Sequence, residues 1–133
     1  MVLVRLIYCS TVNGVGDMDI DAILEKSRAN NMLDNITGAL VYDGRHFLQC
    51  LEGSRINVSK RFHIISKDSR HNDIEIIDFT TIKERRFPQW TMGYAGSSTL
   101  DPSIIATYSA EGFDPRKMIF PDAIVDMMWR LSQ

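Results

Sequence analysis

Only two of the 133 residues are cysteine, and that scarcity leaves no basis for a disulfide framework. Cys9 and Cys50 each sit inside an apolar, strand-like run, where a reduced cysteine behaves as a small hydrophobe. Nowhere does an apolar stretch reach the ~20 residues that span a bilayer. The opening Met-Val-Leu-Val-Arg does not read as a basic leader followed by an apolar run and a cleavage site. The expectation is a cytoplasmic protein with no membrane partner. An excess of one charge is lacking too. A formal net charge of -2 and a pI near 5.9 argue against a broad nucleic-acid surface, leaving Lys83, Arg85 and Arg86 as a small local cluster. His46, His63 and His71 show no ligand spacing, so no metal is expected. Repeats and low-complexity segments are absent as well.

What is present is an ordinary globular composition, 44% apolar and 24% charged, at a length that fits one domain with a tail or small helical appendage. Its centre is Asn35 to Gly53. Two apolar runs, Gly38 to Tyr42 and His46 to Leu51, flank Asp43-Gly44, a strong short-range hairpin signal. Period-two alternation puts Phe47, Gln49 and Leu51 on one face of the second strand and His46, Leu48, Cys50 and Glu52 on the other. Gln49 therefore shares a face with large apolar groups. An amide left unpaired there costs about 1–3 kcal/mol, so it requires a polar partner: a backbone group, a water or a ligand lying on the sheet.

Around the hairpin the chain reads in order. Val2 to Ser10 is a first strand, too apolar for an exposed edge, with Val4, Leu6 and Tyr8 on one side. After the loop Asn13-Gly14-Val15-Gly16, Asp17 or Asp19 can cap a helix carrying Ile20, Ile23, Leu24 and Ser27 and ending near Asn30-Asn31. Asn31 is either a helix cap or an amide aimed at a planar heterocycle. A second helix follows Ser54 on Val58, Phe62 and Ile65. The polar run Lys67 to Asn72 offers Asp68 as acceptor, Arg70 as forked donor and His71 as either, though charges in such loops are mostly solvated. A strand through Ile74, Ile76, Ile77 and Phe79 comes next. Pro88 resists central-strand pairing, and Trp90 to Tyr94 forms a short last strand or a loop; as a strand it would put Trp90 and Met92 on one side. Gly96 to Thr99 reads as a linker, dividing the chain into a domain at 1–95 and an extension at 96–133. The extension has helical segments at Pro102 to Tyr108 and Asp122 to Leu131. The second carries a stripe of Ile124, Met127, Met128 and Leu131 that must bury against the domain, a second copy or a partner.

Strand, helix, hairpin, helix, strand, strand implies an α+β fold: a ferredoxin-like β-α-β-β-α-β-β mixed sheet, two helices on one face, strands one and three central, with a C-terminal helical extension. Tyr8 and Gln49 then fall on neighbouring strands, with Asn31 at the end of the first helix.

The segments R-L-I-Y-C-S, S-R-A-N-N, N-I-T-G-A-L-V-Y, F-L-Q-C-L-E-G, D-S-R-H and W-T-M-G, in this order between Leu3 and Tyr94, resemble the BLUF family, small domains that sense blue light with flavin. The resemblance implies a bacterial photoreceptor, not an enzyme, holding FAD, with FMN or riboflavin as alternatives. It implies that Tyr8 is the electron and proton donor and that Gln49 is the switch, hydrogen-bonded to flavin and Tyr8. Asn31, Ser27, Arg28, Asp68, Arg70 and His71 are the further flavin-binding residues it implies, and Trp90 and Met92 its signalling pair. Output would run through a separate protein partner, in a chain expected to form a homo-oligomer. The competing readings are an acylphosphatase-like hydrolase and a light-blind interaction module on the same fold. Gly14-Val15-Gly16 has no Arg beside it for an anion cradle, and no G-x-G-x-x-G is present.

Overall fold

The computed structural model describes residues 1–14 and 17–133, with Asp17 and Met18 described as backbone only. The glycine loop expected at 13–16 and the capping role of Asp17 thus fall partly outside the described residues. The elements are β1 (Leu3–Val12), α1 (Asp17–Leu33), β2 (Thr37–Tyr42), β3 (His46–Ser54), α2 (Arg55–Ser66), β4 (His71–Thr81), β5 (Gly93–Ala95), α3 (Pro102–Tyr108), a 3-10 turn at Pro115–Lys117 and α4 (Pro121–Leu131). The sheet order is β4-β1-β3-β2-β5. β1 pairs antiparallel with both β3 and β4, β2 with β3 antiparallel, and β2 with β5 parallel. This is the expected ferredoxin-like arrangement, with β1 and β3 at the centre.

The hairpin forms for local reasons. Gly44 adopts φ 92, a conformation open to glycine at no steric cost. Asp43 Oδ1 accepts from the backbone N–H groups of Arg45 and His46 at 2.9 and 2.7 Å. Gly38 is required for a different reason. A Cβ there would lie 1.9 Å from the Cys50 carbonyl oxygen, so only glycine lets β2 close on β3. Ser54 caps α2 by accepting from Asn57 N at 3.2 Å.

Alternation along the central strands builds two cores. Val4, Leu6, Tyr8, Phe47 and Leu51 face α1 and α2 and meet Ile20, Leu24 and Val58. Ile7, Cys9, Leu48 and Cys50 face the other way and meet Ile105, Ile124, Met127, Met128 and Leu131. The α4 stripe therefore buries on the chain's own sheet, opposite α1 and α2. Each such side chain removed from water contributes ~1.5–3 kcal/mol, which fixes α4 firmly. Arg116 in the 3-10 turn adds a polar tie, donating to Thr11 Oγ1 at 2.6 Å and to the Asp73 carbonyl at 2.9 Å, and pairing with Glu75.

Several boundaries differ from the sequence reading. α1 continues through Asn30-Asn31 to Leu33, and the left-handed residue that ends it is Asn35, at φ 53. β4 begins at His71, so the polar turn spans fewer residues than expected, because β1 reaches Val12 and supplies ladder partners for His71 and Asn72. Residues 87–92 form no strand. β5 starts only at Gly93, where the chain has moved past Pro88 into register with Ala39.

Candidate functional site

Tyr8 and Gln49 stand directly opposite each other in the β1–β3 ladder. Two such residues share a sheet face with side chains in reach, so the pair is a consequence of register. The Tyr8 hydroxyl donates to Gln49 Oε1, with both residues buried. With its oxygen committed to Tyr8, the amide turns its Nε2 toward Met92 Sδ at 3.6 Å, a weak acceptor. Phe62 meets the Tyr8 ring edge-on at 5.4 Å and His71 at 6.2 Å.

These groups form the floor of a cleft between α1 and α2. Ser27 and Asn31 come from α1, Asp68 and Arg70 from the turn after α2, and His71 from the start of β4. The cleft thus gathers seven of the eight residues singled out for cofactor binding. Arg28 is the one placed elsewhere. It points toward β5, donating to the Met92 carbonyl from Nε at 3.0 Å and Nη2 at 2.9 Å. Asn31 works beside it, giving Nδ2 to the Thr91 carbonyl at 2.7 Å while its backbone carbonyl accepts from Ile36 N at 2.9 Å. Asn31 therefore lies within the last turn of α1 rather than at its cap, and it is 1% exposed.

Each polar group in the turn is held in place. Arg70 grips Asp68 through Nε and Nη2, at 2.9 and 2.5 Å for the shorter bond of each. That hydrogen-bonded pairing lowers the Asp68 carboxyl to about 2. The His71 Nε2 bonds the Ile65 carbonyl at 2.7 Å, and a carbonyl only accepts, so Nε2 carries a proton. In the neutral ring Nδ1 then accepts from the Ser10 hydroxyl at 2.7 Å. His71 thereby ties α2 to β1 and β4.

Trp90 and Met92 part company. Met92 is 2% exposed and lies against Gln49 on the α1–α2 face. Trp90 lies on the α4 face, stacked on Phe87 at 5.7 Å and on Trp129 of α4 at 6.5 Å. The strand alternation that would have put both on one side does not apply, because the segment is irregular. Gly93 permits the tryptophan's position, since a Cβ there would lie 2.6 Å from the indole.

The sequence reading passed over Lys26, Asn30 and Arg61, which also line the cleft. For Arg61 a signal existed: it lies one turn before Ile65 on α2. Its Nη2 binds Asp34 at 2.8 Å, while its Nε is buried with no hydrogen-bond partner among the described residues. The cluster Lys83, Arg85, Arg86 is partly spent inside the fold. Arg85 donates to Thr37 Oγ1, the Glu52 carbonyl and the Asn35 carbonyl, and Arg86 pairs with Asp126 of α4 at 3.0 Å.

Burial raises the Tyr8 phenol well above 10.0, and the nearby Asp68 charge adds to the rise. An unfolded tyrosine would ionise near 10.0 while folded Tyr8 does not, so this group leaves stability untouched below that pH and erodes it above. In an alkaline titration of the four tyrosines, Tyr8→Phe should therefore remove no phenolate absorbance until the chain unfolds. Loss of amplitude in the folded range would contradict the burial argument. Burial likewise raises both cysteine thiols, so neither is poised as a nucleophile.

A family model described as "BLUF: Sensors of blue-light using FAD" matches residues 3–93. The photoactivated adenylate cyclase subunit beta of Euglena longa is 25% identical over 142 residues, taking in 88% of this chain and 16% of that protein. The blue light- and temperature-regulated antirepressor BluF of Escherichia coli (strain K12) is 31% identical over 100 residues, 74% of this chain and 24% of the other. The chain thus spans a small part of these relatives. Solved structures match it nearly end to end. The photo-activated state of BlsA superposes with a TM-score of 0.84 at 30% identity, covering 97% of this chain and 94% of the other. The dark state of BlrB does so with 0.80 at 30% identity, covering 98% and 96%.

Proposed function

The chain belongs to the BLUF family of blue-light sensors, and from that premise we propose that it binds a flavin between α1 and α2 and signals by rearranging the Gln49 amide. The observation that carries this reading is the buried Tyr8–Gln49–Met92 chain at the base of a cleft rimmed with donors. The residues present suit the cofactor. The cleft offers apolar walls for a flat ring, the amides of Gln49 and Asn31 for its heteroatoms, and the unpartnered Nε of Arg61. Lys26, Arg61 and Arg70 around the same cleft favour a phosphorylated flavin, FAD or FMN, over riboflavin.

A bound flavin supplies a strong oxidant on absorbing blue light. The rest of the response belongs to the chain. Tyr8 is a poor acid in its burial, so its proton leaves only when an electron leaves with it, and Gln49 Oε1 is the acceptor already in place. Met92 Sδ holds Nε2 only weakly, and the amide can turn or tautomerise without breaking a covalent bond, exchanging its hydrogen bond to Tyr8 as it does so. A changed amide reaches Met92 directly and, two residues back, Trp90 on α4. The proposed output runs along that route to a separate protein partner, with the sensor itself carrying out no catalysis. Residues 1–95 form the sensing unit and 96–133 the output extension.

Purified protein loaded with FAD should be yellow and show a reversible red shift under blue light. Absence of any shift would sink the reading and return the hydrolase and the light-blind module. Asn31→Ala should weaken flavin retention by about 0.5–1.5 kcal/mol per lost hydrogen bond. Unchanged affinity by titration would confine Asn31 to the Thr91 and Ile36 bonds seen here. Hydrogen exchange compared in darkness and saturating blue light should change at 90–94 or 122–131. No change at either would exclude this route.

A further inference from the structure

We propose that Glu52 is a positioning residue for the light response: its carboxylate anchors the 86–92 loop so that Met92 stays on the Gln49 amide and Trp90 on Trp129. The inference rests on the photoreceptor reading and deepens it.

Glu52 is 0% exposed, and a charge so completely withdrawn from water persists only when it is paired and hydrogen-bonded. Its partners all lie off its own strand. Arg5 of β1 donates from Nε at 2.8 Å and Nη2 at 2.7 Å. Arg86 N reaches both oxygens at 3.0 Å, and Phe87 N reaches Oε1 at 2.8 Å. The last two donors are the backbone of the loop itself. The Glu52 carbonyl, through Arg85 Nη1 at 3.0 Å, holds the residue just before them. β3 thus carries the switch amide at Gln49 and, three residues on, the attachment point of the loop that reads it.

The far end of the loop is fixed as well. Arg28 and Asn31 hold the Met92 and Thr91 carbonyls, and Gly38 N donates to the Trp90 carbonyl at 3.0 Å. These ties hold Trp90 on one sheet face and Met92 on the other at their carbonyls, not at their side chains, so slack at Glu52 passes from Phe87 to the Trp90 ring stacked on it at 5.7 Å and, two residues on, to the Met92 side chain. The carboxylate's chemistry is specific to the task. All its partners are donors, and a glutamine of the same shape would turn an N–H toward one of them.

The test uses the flavin-loaded full chain with Glu52→Gln. Loosening Met92 lowers the barrier to amide rotation in both directions, so dark recovery after blue light should accelerate about tenfold. The near-UV circular dichroism of the stacked indoles should weaken in darkness; Trp90 and Trp129 are the only two tryptophans. A lowered melting temperature with recovery within about twofold of the unaltered chain would overturn the proposal, because that is the mark of a structural role alone. If the unaltered chain shows no photoshift, the photoreceptor reading fails by itself. The indole signal then still decides whether Glu52 anchors the loop, and an unchanged signal overturns that. Should Glu52→Gln not fold, Arg5→Lys keeps the buried charge paired but loses the fork, and the same two changes are expected in smaller degree. Neither changing would overturn the proposal.

Discussion

Replacing Tyr8 with Phe is expected to leave a yellow, flavin-loaded protein in which blue light produces no long-lived red shift. The ring stays, and with it the edge contacts to Phe62 and His71 and the packing against α1 and α2. What is lost is one hydroxyl. In the dark its removal leaves Gln49 Oε1 buried without its partner, a loss of about 1–3 kcal/mol that a domain of this size tolerates. In the light the effect is all or none. The phenol is the proton source bonded to the amide, and its raised pKa excludes a resting phenolate as substitute. A light-minus-dark difference spectrum after a saturating pulse reads the outcome. A red-shifted state that persists for seconds in Tyr8→Phe would refute the assignment of Tyr8 as donor. Retained flavin is the control, because a colourless variant would report on binding instead.

That this pair could be named before the fold was described reflects which physics is local. Asp43-Gly44 between two apolar runs specifies the hairpin, alternation assigns faces, and element order makes β1 and β3 neighbours. Tyr8 and Gln49 then share a face by register. The helix stripe of α4 was legible for the same reason, as periodicity alone says it must be covered, although not by what. What stayed hidden depends on bonds between distant side chains and backbone. Asn31 to Thr91 and Arg28 to Met92 span the sheet, and no spacing rule relates such residues. The split of Trp90 from Met92 was hidden because it depends on an irregular segment. A strand rule applied to 90–94 puts both on one side, and it fails where Gly93 lets the indole lie against the backbone. Glu52 was assigned to the correct face, but alternation could not reveal that this face receives the backbone of residues 86 and 87.

Gln49→Leu should be the companion loss, with a stability cost of its own. Leucine has nearly the bulk of glutamine, and its neighbours Leu40, Phe47 and Leu51 are apolar, so the sheet face should pack. The amide's partners, however, remain. The Tyr8 hydroxyl keeps its proton in a buried site with its acceptor removed, at ~1–3 kcal/mol, whereas Met92 Sδ loses little. A fall in melting temperature of roughly 5 °C or more follows. Flavin should still bind through Asn31 and the cleft walls, and the light-induced shift should vanish, because no amide is left to turn between Tyr8 and Met92. The Tyr8→Phe/Gln49→Leu pair sharpens the test. Since the hydroxyl is costly in Gln49→Leu only because its acceptor is gone, adding Tyr8→Phe should restore part of the lost stability without restoring the shift. A normal red shift in Gln49→Leu would remove the amide from the switch, and a double variant no more stable than Gln49→Leu would show that the buried hydroxyl had found another acceptor.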